Sequence, residues 1–279
     1  MLVRIIDSGL NDPFLNMAID EAISIFVRNG NSPPTLRFYG WIKPAVTIGE
    51  FQKATEINQD ICNKLKIPVV RRPTGGKGIL HYDDLTYSFT AKKEGIFRGS
   101  LFQTYEKLSS IFSEAFNLSG IKTEIKKNRD SVNRSSLCFA RSSFGEISFN
   151  GIKIMGSAQK RWRDGFLQQG TIPIIVNREL LKKVFLCMPE EAENIYGLKE
   201  IYDKLVLSAS PQEIASQLAL SATPQEKASL FEASVFKEKF KENIKLCLRM
   251  AGFEIVEEAI LEEEFALAQE LLQKYQNPQ

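Results

Sequence analysis

The stretch RRPTGGKGILHYDDLTYSF, residues 71–89, constrains the fold of this chain more than any other. It places a Gly-Gly pair between two segments, PVVRR and LTYSFTA, that are typical of β-strands. Glycine allows positive φ and lets a ligand approach the main chain closely. Two interpretations therefore fit: a tight hairpin turn, or the backbone wall of a pocket with His81, the chain's only histidine, near its mouth.

The spacing of this stretch excludes a nucleotide-binding P-loop. A P-loop reads G-x-x-x-x-G-K-[ST] and lies between a strand and a helix. If Gly76 and Lys77 are its G-K pair, the first glycine falls on Arg71 and the Ser/Thr position falls on Gly78. A strand-like segment follows instead of a helix, and the chain contains no G-x-G-x-x-G pattern.

Periodicity predicts a mixed α/β fold for about residues 1–185. The spacing of apolar residues predicts helices over 14–29, which Asp12 begins and Gly30 ends, and over 101–119. Asn150-Gly151 predicts the type I′ turn of a hairpin. Alternating or β-branched segments predict strands at 2–6, 35–41, 45–51, 68–72, 85–91, on both sides of Asn150-Gly151 and, as a pair of strands, at 165–176.

From about residue 186 the pattern becomes mainly helical, with helices predicted at 211–218, 224–251 and 261–276. No tandem repeat and no long linker divides the sequence. We therefore expect a single catalytic domain over 1–279, with an α/β core of about 1–185 and a mainly helical part of about 186–279. The fold class is α/β (α+β), with mixed sheets flanked by helices.

Composition excludes several function classes. The net charge of +2 lacks the basic excess of nucleic-acid-binding proteins. No apolar run approaches the roughly 18 residues that span a bilayer, and the first residues lack the pattern of a signal peptide. The four cysteines fit neither a zinc site nor a disulfide scaffold. We expect a cytoplasmic protein that binds no metal, membrane or nucleic acid. Three of the four cysteines lie in helix-like or apolar contexts and are expected to be packing residues: Cys62, Cys187 and Cys247.

Cys138 is the candidate nucleophile, because it lies in SSLCFARSS rather than in a long apolar run. A nucleophilic cysteine needs a cation or a basic partner to ionise, and His81 and Lys153 are the two candidates. Periodicity alone favours a solvent-facing Lys153. If Lys153 instead faces a pocket, we expect desolvation to lower its pKa and to suit it to proton transfer. The small residues of GSAQ, which begin at Gly156, offer backbone donors to a carbonyl oxygen.

Four motifs in order give the chain a family resemblance. RRPTGGKGILHYDDLTYS resembles the RR-x-[ST]-GG-x-x-V-x-H motif of the lipoate-protein ligase A and octanoyltransferase superfamily. NMAIDEA, LRFYGWIKPAVTIGEFQ and GIKIMGSAQKR…LQQGTIPI are similar to motifs of the same superfamily over roughly residues 1–185. The resemblance implies a biotin/lipoate protein ligase-like catalytic domain.

Within that superfamily the chain most resembles the LipM-type octanoyltransferases, because SLCFARSS stands where ATP-dependent ligases carry G-R-N-D. The resemblance implies that Cys138 forms an acyl-thioester and that Lys153 stabilises its thiolate. It also implies transfer of an octanoyl group from acyl carrier protein to a lysine of a lipoyl domain, in the glycine cleavage H protein or the E2 subunit of a 2-oxoacid dehydrogenase. No cofactor is expected for this reaction.

Three alternatives stay open at this stage. One is an ATP-dependent lipoate-protein ligase, which needs ATP and Mg²⁺. Another is an amidotransferase that moves octanoyl between two lipoyl domains, and lipoate as the cargo is also open. A non-catalytic relative that only binds a lipoyl domain or nucleic acid is the third.

The resemblance and the glycine-rich stretch together give the expected substrate-binding residues. They are Arg72, Thr74, Gly75, Gly76, His81, Gly156, Ser157 and Ala158. A local basic group is expected to attract acidic carrier and lipoyl domains, and consists of Arg71, Arg72, Lys77, Lys160, Arg161 and Arg163.

Overall fold

The structure is a computed structural model that describes residues 1–126, 137–139, 145–186, 189–208 and 232–276. Its strands are β1 Leu2–Asn11, β2 Thr35–Trp41, β3 Ala45–Ile48, β4 Val69–Arg71, β5 Ile79–His81, β6 Asp83–Lys92, β7 Glu124–Ile125, β8 Ile147–Phe149, β9 Ile152–Arg161, β10 Gly165–Ile175 and β11 Glu254–Glu257. Its helices are α1 Pro13–Asn29, α2 Gln59–Lys64, α3 Leu101–Leu118, α4 Arg178–Val184, α5 Pro189–Glu193, α6 Leu198–Ser208, α7 Ala233–Met250 and α8 Glu262–Gln276.

Two mixed sheets organise these elements. The large sheet has the strand order β11-β1-β2-β6-β10-β9-β8-β7, and the small sheet has the order β4-β3-β5. In the large sheet β1 pairs in parallel with both β11 and β2. All the other neighbours in the order β2-β6-β10-β9-β8-β7 pair antiparallel. The predicted fold class, mixed sheets flanked by helices, is confirmed.

Helix α1 shows how local sequence sets an element. The carboxylate of Asp12 accepts hydrogen bonds from the backbone N–H groups of Phe14 and Leu15, and Gly30 closes the helix with a φ of 85°. Both ends were predicted from the sequence. The apolar face of α1 packs against α8, and residues of both helices share one core cluster with Ile6 and Val70.

The hairpin of β8 and β9 turns where the sequence predicts, because Asn150 and Gly151 both have positive φ, 47° and 76°. A β-bulge follows. Ser148 pairs with Lys153, whereas Ile147 pairs with Met155, so Ile154 is the extra residue. The sequence carries no sign of this bulge.

The expected pair of strands at 165–176 is wrong. Residues Gly165–Ile175 form one continuous strand, β10, between β6 and β9. The segment contains Gly170 and Pro173, yet neither ends the strand. Gly170 instead gives room to the Tyr87 ring, since a Cβ there would lie 2.4 Å from that ring.

The last part of the described chain is mainly helical, yet it completes the large sheet through β11 beside β1. Helix α7 packs against α3. The predicted helix at 211–218 and the first part of the one at 224–251 lie outside the described residues. Among the residues described, no helix has the length and apolar character needed to cross a bilayer.

Candidate functional site

Cys138 lies on a short segment held against the glycine-rich stretch. Its backbone N–H donates to the carbonyl oxygen of Gly78 at 3.0 Å, and Leu137 forms an isolated parallel bridge with the same glycine. Leu137 and Phe139 are buried on either side, whereas Cys138 is half-buried. Packing of the two flanking side chains therefore fixes the segment and leaves the thiol accessible.

Lys153 meets Cys138 from the neighbouring strand β9. Its Nζ lies 3.6 Å from Sγ of Cys138 and donates to the backbone oxygen of Cys138 at 2.6 Å. It also donates to Oε1 of Glu146 at 2.6 Å. The side chains of Lys153 and Glu146 are only 4% and 6% exposed. An ammonium has three N–H donors. Two of them donate to the oxygens of Cys138 and Glu146, and the positive charge lies close to the sulfur.

The expectation that desolvation lowers the pKa of Lys153 is wrong in its outcome. Burial does lower the pKa of Lys153, but the negative charges of Cys138 and Glu146 and their hydrogen bonds outweigh burial and raise it above its ordinary value. Lys153 is therefore an ammonium at neutral pH. An ammonium suits electrostatic stabilisation of a thiolate better than it suits the role of a base.

The bulge at Ile154 explains why Lys153 is buried despite its position in a hairpin. Because one extra residue reverses the alternation of side chains, Lys153 and Gly156 lie on the same face of β9. Gly156 makes the contact possible. A Cβ on Gly156 would lie 3.1 Å from Cε of Lys153 and 3.2 Å from Sγ of Cys138.

A central cavity of about 340 Å³ opens beside the thiol. Six of the predicted site residues line it: Arg72, His81, Cys138, Gly156, Ser157 and Ala158. The sequence did not single out its other lining residues, which are Met17, Tyr39, Trp41, Thr47, Ile79, Thr86, Gln169, Gly170 and Thr171.

A second cavity of about 450 Å³, here called the side cavity, also reaches Cys138. Its lining includes Leu80, Phe139 and Val176, and its rim carries the exposed side chains of Tyr82 and Ile175. Cys138 thus lines both cavities, and the lining of the side cavity includes two exposed residues.

A buried polar network, which was not predicted from the sequence, supports the wall of the central cavity. Arg37 and Asp20 form an ion pair at 2.7 Å with both side chains fully buried. The carboxylate of Asp20 also accepts hydrogen bonds from Tyr39, Ser88 and Gln169. Since Tyr39 and Gln169 line the cavity, the network fixes the shape of its wall.

One signal for this network was present in the motif NMAIDEA. Asn16 and Asp20 lie four residues apart on a helical stripe that continues with Ile23 and Val27. Polar residues on a buried stripe need partners, and Asn16 accepts a hydrogen bond from Arg37 at 2.6 Å.

His81 lines the central cavity from inside rather than at its mouth. It is 2% exposed and stacks on the ring of Trp41 with centroids 3.9 Å apart. Its Nδ1 lies 2.6 Å from Asp84 and its Nε2 lies 3.0 Å from Thr47. The expected place near the mouth is wrong, because Trp41, more than thirty residues earlier, covers the imidazole.

The Gly-Gly stretch holds Arg72 rather than lining the cavity. Arg72 donates to the backbone oxygens of Gly75 and Lys77, at 2.6 and 2.9 Å, and Gly76 has a φ of 88°. A Cβ on Gly76 would lie 2.8 Å from the Arg72 guanidinium. Thr74 donates to Gln169 at 2.8 Å. Thr74, Gly75 and Gly76 are not among the lining residues, so they support wall residues instead of forming the expected backbone wall.

The predicted basic group does not form one free surface. Arg71 donates to three backbone oxygens, and Arg72 is buried. Lys160 pairs with Glu50 at 2.7 Å and Lys77 lies 3.7 Å from Glu56. Arg161 donates to Gly99 and Thr104, whereas Arg163 is exposed.

The other described cysteines are packing residues. Cys62 and Cys247 are free and buried in separate core clusters, and burial raises the pKa of both thiols. Cys187 lies outside the described residues. Within the described ranges, no group of three or more His, Cys, Asp or Glu side chains is arranged to hold a metal ion.

Comparison with known families agrees with the resemblance noted in the sequence. Residues 12–212 match the family model of the lipoyl protein ligase A/B catalytic domain. A protein named octanoyltransferase LipM from Halalkalibacterium halodurans is 40% identical over 191 residues, which cover 65% of this chain and 69% of that protein. Octanoyltransferase LipM from Moorella thermoacetica is 37% identical over 204 residues, 71% of this chain and 74% of that protein.

Comparison with solved structures extends the likeness to the whole fold. A crystal structure of lipoate-protein ligase A bound with ATP superposes with a TM-score of 0.71, covering 98% of this chain and 95% of that one. The two sequences are 19% identical, so this likeness bears on the fold alone. The expected lipoate ligase-like fold is confirmed.

Proposed function

Because the chain belongs to the lipoyl protein ligase A/B catalytic domain family, we propose that it moves an octanoyl group from acyl carrier protein to a lysine of a lipoyl domain through a thioester on Cys138. The chain is an octanoyltransferase, an acyltransferase of protein lipoylation. The donor, the thioester intermediate and the residue roles below are our proposal.

One observation carries the proposed mechanism: the Lys153 ammonium lies 3.6 Å from the Cys138 sulfur at the edge of the central cavity. A thiolate is the nucleophilic form of cysteine, and a neighbouring cation favours it. The contact that the thiolate needs is thus present on the residue pair that the sequence indicated.

In the first half-reaction, Cys138 attacks the carbonyl carbon of the octanoyl thioester on the carrier. The new S–C bond forms as the bond to the carrier sulfur breaks, and the carrier leaves with a free thiol. The Cys138 thiol loses one proton in this step, and the leaving carrier sulfur gains one. Lys153 stays an ammonium throughout and stabilises negative charge on sulfur.

In the second half-reaction, a lysine amine of the lipoyl domain attacks the octanoyl thioester on Cys138. A C–N bond forms, the C–S bond breaks, and the proton from nitrogen returns to the Cys138 sulfur. The first exchange replaces one thioester by another, and the second forms a more stable amide. Neither half-reaction therefore needs ATP, and we propose that no metal ion or other cofactor takes part.

We assign the octanoyl chain to the central cavity and the approach of both partner proteins to the side cavity. The central cavity is lined by buried and half-buried residues, whereas the side cavity carries the exposed Tyr82 and Ile175 at its rim. Burial of each CH₂ group contributes about 0.8 kcal/mol, which is enough to select chain length. The acyl chain then stays in place while the carrier leaves and the lipoyl domain arrives.

The proposed partners are acyl carrier protein and lipoyl-domain proteins, such as glycine cleavage H protein or an E2 subunit. We propose that the reaction takes place in the cytoplasm, whose reducing conditions keep thiols free. The three described cysteines are free thiols, as this chemistry needs.

Intact-mass measurement tests this proposal. The wild-type protein and the Cys138→Ser and Cys247→Ala variants are incubated with octanoyl-acyl carrier protein without ATP. The wild type and Cys247→Ala, which lies in a core cluster, should each gain one octanoyl group, and Cys138→Ser should gain none. An adduct of equal yield on Cys138→Ser would contradict the thioester on Cys138.

The same protein is then offered other donors, with a lipoyl domain as acceptor. We expect transfer from octanoyl-acyl carrier protein without ATP. Transfer that occurs only from free octanoate with ATP and Mg²⁺, and that survives Cys138→Ser, would instead establish a ligase. Transfer from an octanoylated lipoyl protein but not from the carrier would establish an amidotransferase.

A further inference from the structure

The geometry of Cys138 and Lys153 creates a hazard for an acyl-enzyme. The proposed reaction is the attack of a lysine amine on a thioester, and the enzyme's own Lys153 lies 3.6 Å from the sulfur that would carry the acyl group. A neutral Lys153 would form a C–N bond with the acyl carbon while the C–S bond breaks. Its proton would pass to the Cys138 sulfur. The resulting amide is stable, so such an enzyme would be inactivated.

Protonation removes this hazard, because an ammonium has no lone pair and cannot attack a carbonyl. Glu146 is placed to keep Lys153 protonated. Its carboxylate accepts a hydrogen bond from Nζ at 2.6 Å, and both side chains are almost fully buried. A buried ammonium without an anion would readily lose its proton.

We propose that Glu146 is a positioning residue that holds Lys153 as an ammonium and so protects it from acylation by the thioester on Cys138. This inference rests on the proposed function, since it presupposes an acyl group on Cys138. It assigns the carboxylate a role that neither the sequence motifs nor the two half-reactions require.

The charges around Lys153 make Glu146 most important in the acyl-enzyme. Burial lowers the pKa of Lys153, whereas negative charge on Cys138 and Glu146 raises it. Once Cys138 carries an acyl group it has no charge, so of these two anions only Glu146 continues to raise the pKa of Lys153. Among the residues that the structure describes, Arg72 and Tyr105 are further titratable groups that interact electrostatically with Cys138.

The direction of the pH dependence follows from the chemistry of an ammonium, which loses its proton as pH rises. In the acyl-enzyme Cys138 no longer raises the pKa of Lys153, so the charge and hydrogen bond of Glu146 oppose the effect of burial. We expect protection at neutral pH and its failure in alkaline solution. Removal of the Glu146 charge should shift this failure to lower pH.

Hydroxylamine distinguishes the two possible adducts, because at neutral pH it cleaves a thioester and leaves an amide intact. Wild type and Glu146→Gln are charged with octanoyl-acyl carrier protein, held at pH 8 without acceptor, treated with hydroxylamine and weighed by mass spectrometry. The wild-type adduct should be labile. In Glu146→Gln a resistant adduct should form at least tenfold faster, and peptide mapping should locate it on Lys153.

Two control variants separate charge from structure. Glu146→Asp keeps a carboxylate and should keep the adduct labile. Glu146→Gln combined with Lys153→Arg should form no resistant adduct, because arginine does not lose its proton in this range. A Glu146→Gln acyl-enzyme that stays fully labile would overturn the proposal, and so would a resistant adduct on wild type at pH 7.

A pH series on wild type decides the question even if Glu146→Gln fails to fold or to accept octanoyl. The resistant fraction should be absent at pH 7 and should grow as pH rises through the alkaline range. A fully labile adduct up to pH 11.5 would show that protonation is not what protects Lys153. Absence of any thioester on wild type would instead overturn the proposed function, so the two failures are distinguishable.

Discussion

Two buried ion pairs lie near the central cavity, and they differ in what they can do. Arg37 and Asp20 are completely buried behind the cavity wall. Lys153 and Glu146 are also buried, but Lys153 contacts the nucleophile. The first pair shapes the cavity, and the second takes part in the chemistry at its edge.

The difference lies in which groups can change their charge. Arginine does not lose its proton in proteins, so Arg37 stays charged whatever happens in the cavity. Lysine and glutamate can both become neutral when a partner is removed. A pair that contains lysine can therefore respond to the state of Cys138, and one that contains arginine serves as a fixed support.

The largest effect, a loss of free energy of unfolding, is expected from Asp20→Ala. It leaves the Arg37 charge buried without its partner, and removal of one member of a buried pair costs about 3–5 kcal/mol. Denaturant unfolding measures the loss, with the exposed Asp60→Ala as the matched control. A loss below about 1 kcal/mol would mean that the Arg37 pair is not the support that we describe.

A smaller effect on stability and a specific effect on chemistry are expected from Lys153→Met. The thiolate loses its cation, so octanoylation of Cys138 should slow by about 10²-fold or more, a barrier increase of about 2.7 kcal/mol. Glu146 can bind a proton, so stability should fall less than in Asp20→Ala. Single-turnover acylation measures the rate, with the exposed Lys183→Met as control. Equal slowing in both variants would contradict a direct role of Lys153.

Gly156→Ala should perturb the second pair without touching the first. The new Cβ would lie 3.1–3.3 Å from Cε and Nζ of Lys153 and from Sγ of Cys138, so these atoms must shift by a few tenths of an ångström. We expect acylation to slow by about tenfold, or about 1.4 kcal/mol, because small displacements of reacting groups are costly. Acylation at the wild-type rate, with unchanged stability, would show that the cysteine–lysine distance is not critical.

The smallest effect is expected for an ion pair that is not buried. Lys160 and Glu50 lie 2.7 Å apart with side chains about one-third exposed, at 30% and 31%. Exposed pairs contribute about 0–1 kcal/mol, so Lys160→Ala should change the free energy of unfolding by less than about 1 kcal/mol. Thermal unfolding at low and high salt measures it. A loss as large as that of Asp20→Ala would show that burial does not separate these pairs.

Local signals predicted much of the fold. Asp12, Gly30 and Asn150-Gly151 mark a helix start, a helix end and a hairpin turn through chemistry that acts within a few residues. The two strands expected at 165–176 are a single strand, in which Gly170 makes room for the side chain of Tyr87 instead of forming a turn. Cys138 and Lys153 were indicated by the family resemblance, since periodicity alone favoured a solvent-facing lysine.

What could not be predicted depends on contacts between distant segments. The bulge at Ile154 arises from the register of two strands, and no single residue in the sequence indicates it. The burial of His81 depends on Trp41, and the raised pKa of Lys153 depends on Cys138 and Glu146. Each of these features depends on a contact between two segments that are distant in the sequence, whereas periodicity and motifs describe one segment at a time.

The most direct test of the central claim is a chase of the isolated acyl-enzyme. The octanoyl-enzyme is separated from its donor and mixed with an unmodified lipoyl domain in the absence of ATP, and both proteins are weighed over time. The octanoyl group should leave Cys138 and appear on the lipoyl domain in equal amount, at least as fast as steady-state turnover. An octanoyl-enzyme that persists while steady-state transfer proceeds would contradict Cys138 as the site of the intermediate.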